Sequence, residues 1–167
     1  MRRLLLTLAA IALVGLGAFW LATRPAAVPA AALAGLEGDA TAGEAVFWAS
    51  GCASCHAAEN AEGAARLVLE GGQRFPSEFG TFVAPNISTH PEHGIGDWTL
   101  AEFVTALQEG ISPEGRHYYP AFPYPAYRLA ERQDLADLWA FWQTLPASDV
   151  PSRPHDVGFP FSVRRTV

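Results

Sequence analysis

Cys52-Ala53-Ser54-Cys55-His56 is the stretch on which the reading of this chain turns. A structural disulfide explains it poorly, because a bridge across two residues closes a small loop and restrains little of the unfolded chain. A redox dithiol needs the cysteine pair but has no use for His56, and it sits beside a βαβ pattern that the sequence lacks. A zinc centre could recruit Cys52, Cys55, His90 and His93, although the two residues between the histidines are fewer than the usual spacing of about three to five. The remaining chemistry uses every part of the motif: both thiols add to the vinyl groups of a haem, and the adjacent histidine reaches the iron as proximal ligand. The motif predicts one covalent c-type haem held by Cys52 and Cys55, with His56 on the iron.

Toward the N-terminus, Asp39 or Thr41 can cap a short helix running to Ser50 with Val46 and Phe47 on its inner side, and Gly51 ends it just before the cysteines. Further upstream, residues 4–23 carry no charge and as a helix span about 30 Å, the thickness of a bilayer core. That run is longer than the roughly 7–15 apolar residues of a cleaved signal. Residues 1–24 are therefore expected to be a single N-terminal transmembrane anchor. Arg2 and Arg3 lie on the cytoplasmic side under the positive-inside bias, and everything after Arg24 is exported. A small-residue motif at Ala32-Leu33-Ala34 leaves a cleaved signal as the alternative. Residues 25–37, rich in Ala and Pro and nearly free of charge, read as a linker that lifts the domain at 38–167 off the membrane.

Downstream of the motif, residues 57–89 are rich in Gly and Ala, with Gly71-Gly72 marking a turn or loop. Thr99-Leu100-Ala101-Glu102 is a capping box, and Leu100, Phe103, Val104 and Leu107 at helical spacing predict a helix over 99–109, stopped by Gly110. Pro113, Pro120, Pro123 and Pro125 exclude long regular elements from the aromatic stretch that follows. A last helix is expected from about Arg132 to Leu145, on the stripe Leu135, Leu138, Trp139 and Trp142, with Pro146 beyond it. Phe47, Trp139 and Trp142 should join the first and last of these helices. The class is all-α with long loops, and such loops are uncommon unless something else fills the core. A haem would fill it.

All 17 acidic residues lie at Glu37 or later, against eight arginines there, a net charge of −9. Such a surface excludes binding to nucleic acid by counterion release. Lysine is absent, so electrostatic docking calls for a partner with a basic patch.

Several stretches occur in one order: Gly-Asp-Ala-Thr-Ala-Gly-Glu at 38–44, Gly51 to His56, Phe-Gly-Thr-Phe-Val-Ala-Pro-Asn-Ile at 79–87, Gly-Ile-Gly-Asp-Trp at 94–98, Tyr-Pro-Ala-Phe-Pro-Tyr at 119–124, Leu145-Pro146, and Phe-Pro-Phe-Ser at 159–162. In these the chain resembles the cytochrome c subunits and domains associated with bacterial membrane-bound alcohol and aldehyde dehydrogenases. The resemblance implies a class I-like cytochrome c domain that carries electrons between a periplasmic or membrane dehydrogenase and the respiratory chain, with no catalytic residues of its own. With the anchor, it places the protein on the bacterial cytoplasmic membrane with the haem domain facing the periplasm, as a separate carrier or as a haem subunit of a larger complex. Many relatives bind two or three haems; one motif here implies one.

Relatives usually carry methionine within the stretch that corresponds to residues 119–130. Here Phe122 and Ala130 stand at those places, and Met1 is the only methionine of the sequence. His117 lies in the same loop and is a candidate sixth ligand; its other expected role is a hydrogen bond to a propionate or a backbone carbonyl. A distal site without a protein ligand, walled by Phe122, Tyr124 or Tyr127, is a second possibility and would suit a gas sensor or a peroxidase-like protein. His90, His93 and His155 are further candidates. Among supporting residues, Pro85 can offer its carbonyl to the His56 Nδ1–H, and Arg74, Trp98, Arg116 and Tyr118 are candidates for the propionates.

Overall fold

The computed structural model describes residues 1–163; the last four residues of the expected domain lie outside the described residues. Helix α1, Arg2–Thr23, has 22 residues, none of them buried against the rest of the chain. It is long and apolar enough to cross a membrane, a test that a signal sequence also passes.

Residues 25–37 do not form the free spacer that their composition suggests. Val28 and Leu33 are buried in the domain's hydrophobic core, and the Val28 N–H donates to Thr105 Oγ1 at 3.0 Å. A 3-10 turn over Ala30–Leu33 carries Leu33 inward. Burying two such side chains contributes on the order of 3–5 kcal/mol, more than enough to hold a stretch with few rotamers to lose.

Helix α2, Ala40–Ser50, starts where the sequence signals it: the Asp39 carboxylate accepts from the Thr41 and Ala42 N–H groups. Gly51, left-handed at φ 70°, closes it and turns the chain into α3, Cys52–His56. Helix α4, Leu100–Glu109, has the complete Thr99–Glu102 capping box and stops at Gly110. One turn, α5, Tyr124–Tyr127, forms within the proline-rich stretch. Helix α6, Arg132–Trp142, ends three residues before the expected Leu145. Pro146 disfavours helical backbone at the preceding residue, and the chain leaves through tighter turns from Thr144 to Phe141 and from Leu145 to Trp142.

The all-α expectation holds only in part, because a small antiparallel sheet is present. Strands β1 (Arg74–Ser77), β2 (Gly80–Val83) and β3 (Asp156–Val157) lie in the order β1-β2-β3, with Phe75 opposite Phe82 and Thr81 opposite Asp156. Strands of four and two residues are too short to show alternation in the sequence. Pro76 is tolerated because β1 is an edge strand.

The core forms where α2 crosses α6. Gly43 makes the crossing close, since a Cβ there would collide with the Asp137 carbonyl. Phe47 is fully buried, its ring 5.9 Å from Trp142 and 5.3 Å from Phe141. Trp139 packs instead on Phe103 of α4, at 4.7 Å. Asp137 is buried at the same crossing, but its Oδ1 accepts from the Asp39 N–H and from Gln133 Nε2, each at 2.8 Å. A buried carboxylate without such donors would be strongly destabilising.

Candidate haem-binding site

Gly51 reverses the chain so that α3 begins immediately, and a five-residue helix sets Cys52 and Cys55 on one face with His56 beside them. Both cysteines are free and half-buried. Burial pushes the Cys52 thiol up to about 12, with the neighbouring Cys55 adding to the rise. A redox dithiol requires a thiol with a lowered pKa, which the burial of Cys52 opposes.

His56 is held from behind. Its Nδ1 lies 2.9 Å from the Pro85 carbonyl and donates to it, as the sequence suggested. Burial lowers its pKa while the Pro85 hydrogen bond acts in the opposite direction. The ring is thus neutral, with Nε2 unengaged among the described residues. That is the state in which an imidazole can ligate a metal.

Two bracing residues were not identified from the sequence. The Gly71 N–H donates to the His56 carbonyl at 2.8 Å, and a Cβ on Gly71 would collide with the carbonyls of Ala84 and Pro85. With φ at 74°, this position needs glycine both for its backbone conformation and for space. Asn86, buried, donates through Nδ2 to the carbonyls of Ser148 and Val150 at 2.9 and 2.7 Å, and its Oδ1 accepts from the Ser88 N–H. It stitches the residue after Pro85 to the chain beyond α6. Gly71-Gly72 was legible as a turn, but the segment it packs against was not.

Aromatic rings of residues 118–127 reach α3 through Tyr127. Tyr127 donates its hydroxyl to the Ser50 carbonyl at 3.0 Å, and its phenol is held above its ordinary range by burial and by both cysteines nearby. Phe122 packs against the core, with its ring 5.6 Å from Tyr118, 6.1 Å from Tyr127 and 6.3 Å from Tyr124. Tyr118 is half-buried, and burial raises its phenol well above the usual range. Trp98 is partly buried against the same core.

The other candidates lie elsewhere. Arg74 sits exposed on β1, 4.0 Å from Asp156, and Arg116 lies on an exposed loop, 3.4 Å from Glu114. His117 Nε2 is 3.0 Å from the Thr23 carbonyl at the end of α1 and donates to it, so that nitrogen is not available to iron in this arrangement. His90 Nδ1 accepts from the N–H groups of Glu92 and His93, and its ring stacks on His93. His155 Nδ1 accepts from the Val83 N–H, its ring packed on Phe82 and Tyr119. Among the described residues no group of three or more His, Cys, Asp and Glu side chains could hold a metal ion, so the zinc alternative is not assembled. Unbridged cysteines on one helix face, a neutral histidine fixed through Nδ1 and an aromatic wall fit a covalently attached haem.

Known proteins agree with that fit. The chain is 55% identical over 163 residues to a diheme cytochrome c-type protein of Cereibacter sphaeroides, a match covering 98% of this chain and 55% of that protein. It is 37% identical over 120 residues to the fructose dehydrogenase cytochrome subunit of Gluconobacter japonicus, covering 71% of this chain and 24% of that one. Over 124 residues it is 36% identical to the cytochrome c subunit of the quinone alcohol dehydrogenase of Gluconobacter oxydans, covering 73% and 25%. The chain thus spans about half the length of the first relative and about a quarter of the other two. The Cytochrome c family profile matches residues 40–146, from the start of α2 to the proline beyond α6. Since that span contains the attachment helix, the Pro85 brace and the aromatic wall, the chain belongs to the cytochrome c family.

Proposed function

We propose that this chain carries single electrons from a membrane dehydrogenase to a respiratory acceptor, through one covalent haem held by Cys52 and Cys55 and ligated by His56. The observation that carries the reading is the α3 arrangement, with both thiols beside a histidine whose Nδ1 is fixed by Pro85. When bound, the haem supplies a one-electron couple, and this chain's residues set its surroundings. Pro85 orients the imidazole, Gly71 holds the backbone behind it, and Tyr118, Phe122 and Tyr127 would exclude water from the bound haem. Trp98 and Tyr118, both partly buried, are candidates for the propionates, and Arg74 and Arg116, both exposed, are further ones. No side chain needs to act as acid, base or nucleophile.

The relatives named as cytochrome subunits of fructose and alcohol dehydrogenases support a dehydrogenase partner. The acidic surface suits a partner with a basic docking face. Helix α1 is read as a retained single span, with the domain on the periplasmic face of the cytoplasmic membrane. The test uses membranes containing the full chain. A pyridine haemochrome assay should give one haem per chain, and adding the substrate of a co-resident dehydrogenase should reduce that haem within its turnover time. A haem that stays oxidised with every co-resident dehydrogenase turning over would refute the carrier role.

A second reading is favoured by two observations. Met1, the only methionine, lies at the start of α1, and His117 Nε2 is engaged by Thr23. A distal side walled by Phe122 and Tyr127 without a protein ligand would admit small molecules, as in a gas sensor or a peroxidase-like protein. Carbon monoxide binding to the reduced protein, read as a shifted Soret band, reports an open distal position, and reduction of the haem by a dehydrogenase in turnover then separates an open-site carrier from this reading.

A further inference from the structure

Residues 24–37 have the composition of a spacer and the contacts of a folded element. Val28 and Leu33 enter the core, and Leu36 packs against it. Two helices hold the strap. From α4, Thr105 Oγ1 accepts the Val28 N–H at 3.0 Å while donating its own proton to the Ala101 carbonyl. From α6, Arg132 donates to the Ala32 carbonyl at 3.4 Å and Gln133 to the Glu37 carbonyl at 2.8 Å. Only Arg24, Pro25, Ala26 and Ala27 separate α1 from buried Val28. Even fully extended, that connection reaches no more than about 17 Å, and Pro25 restricts it further. At the end of α1, His117 donates to the Thr23 carbonyl, which brings the 111–118 loop to the C-terminal end of that helix.

We infer that residues 24–37 clamp the domain to its anchor, holding the 111–118 loop against the membrane surface in one orientation. The domain then does not swing on a tether. Resting on the electron-carrier reading, the clamp fits a partner resident in the same membrane and met by diffusion in its plane, not one reached in solution. Processing at Ala32-Leu33-Ala34 is incompatible with the clamp, because it would remove Val28 and Leu33 from the core.

Hydrogen exchange on the full chain in phosphatidylcholine nanodiscs tests the clamp without using the haem. Peptides covering 25–37 should exchange at least 100-fold more slowly than the same sequence as a free peptide. Thr105→Val should speed exchange in these peptides at least tenfold while α4 stays protected. Leu33→Asp should do more; if it loosens the whole domain, Thr105→Val still isolates the strap. Wild-type exchange within tenfold of the free peptide would overturn the clamp. Its orientation is read separately by EPR of oriented bilayers. The haem g values should depend on sample angle in the wild type and lose that dependence when 25–37 is replaced by a Gly-Ser linker; no angular dependence in the wild type overturns the fixed orientation. Absence of covalent haem would refute the electron-carrier reading and leave the exchange result standing.

Discussion

Behind His56, Pro85, Gly71 and Asn86 act through directional hydrogen bonds between elements distant in the sequence. Residues 118–127, by contrast, rely mainly on ring contacts around Phe122, with hydroxyl bonds only from Tyr127 to the Ser50 carbonyl and from Tyr119 to the Phe161 carbonyl. The first side fixes both angle and distance, because a hydrogen bond weakens steeply off its axis. The second fixes volume and dryness, which several side chains can supply equally well. This explains how Phe122 and Ala130 can stand where the resemblance leads one to expect methionine while the attachment side is held by Pro85, Gly71 and Asn86.

The sharpest break between the sides should come from the thiols. Cys52→Ala together with Cys55→Ala should abolish covalent haem entirely, read as loss of haem stain on a denaturing gel. Phe122→Ala should keep the stain at wild-type intensity, although it leaves a gap in the aromatic wall. Covalent haem surviving in the double variant would mean that α3 is not the attachment site.

Gly71→Ala should be next in size. It forces an L residue to φ 74°, at about 1–2 kcal/mol, and displaces the Pro85 carbonyl from His56, at roughly 1 kcal/mol for a neutral hydrogen bond. Together these predict a loss of about 2–3 kcal/mol, or roughly 5–10 °C in Tm for a chain of this size. Tyr127→Phe, its counterpart on the aromatic side, removes one hydroxyl bond and should cost about 1 kcal/mol. A reversed ranking in thermal unfolding would mean that the directional scaffold around His56 is not the more stabilising of the two.

What the sequence disclosed follows the same division. Helices α2 and α4 were legible because their signals are local: an Asp39 cap, a Thr99–Glu102 box and glycines just beyond each end. The Pro85 brace was legible through the resemblance and the chemistry of a metal-bound imidazole. Gly71 escaped because its role is set by a chain segment thirteen or more residues away, and Asn86 because its partners lie beyond α6. The sheet escaped through shortness. The strap was misread because alanine and proline look alike in a linker and in a packed segment; only Val28 and Leu33 distinguish the two, and only once the core they enter is known.

A smaller, pH-dependent effect should appear at His155, which ties β3 to the segment leading into Pro85. Desolvation lowers its folded pKa, and its Nδ1 accepts the Val83 N–H, so the folded state holds the ring neutral. The unfolded chain protonates it near 6.5. The stability it supplies is therefore complete above about pH 6.5 and is lost as pH falls toward the lowered folded value. Urea unfolding at pH 7 and at pH 5 should show a larger loss for wild type than for His155→Gln. Equal losses would mean that the ring is protonated in the folded protein too.

The smallest expected effect concerns His117, and its smallness is informative. With Nε2 donating to the Thr23 carbonyl, this ring belongs to the junction with α1, and removing it should leave the iron's surroundings as they were. Oxidised wild type should be high-spin by low-temperature EPR and should bind carbon monoxide when reduced, because no methionine is within reach. His117→Ala should show the same spin state and the same carbon monoxide affinity within about twofold, with its covalent haem intact. A low-spin wild type that becomes high-spin in His117→Ala would make His117 the sixth ligand. Residues 111–127 would then contribute a directional bond to the iron itself, and the contrast between a side held by bonds and one held mainly by packing would no longer hold. A low-spin wild type unchanged by the substitution would instead point to His90, His93 or His155, and would require one of those rings to leave the hydrogen bonds or stacking it has here.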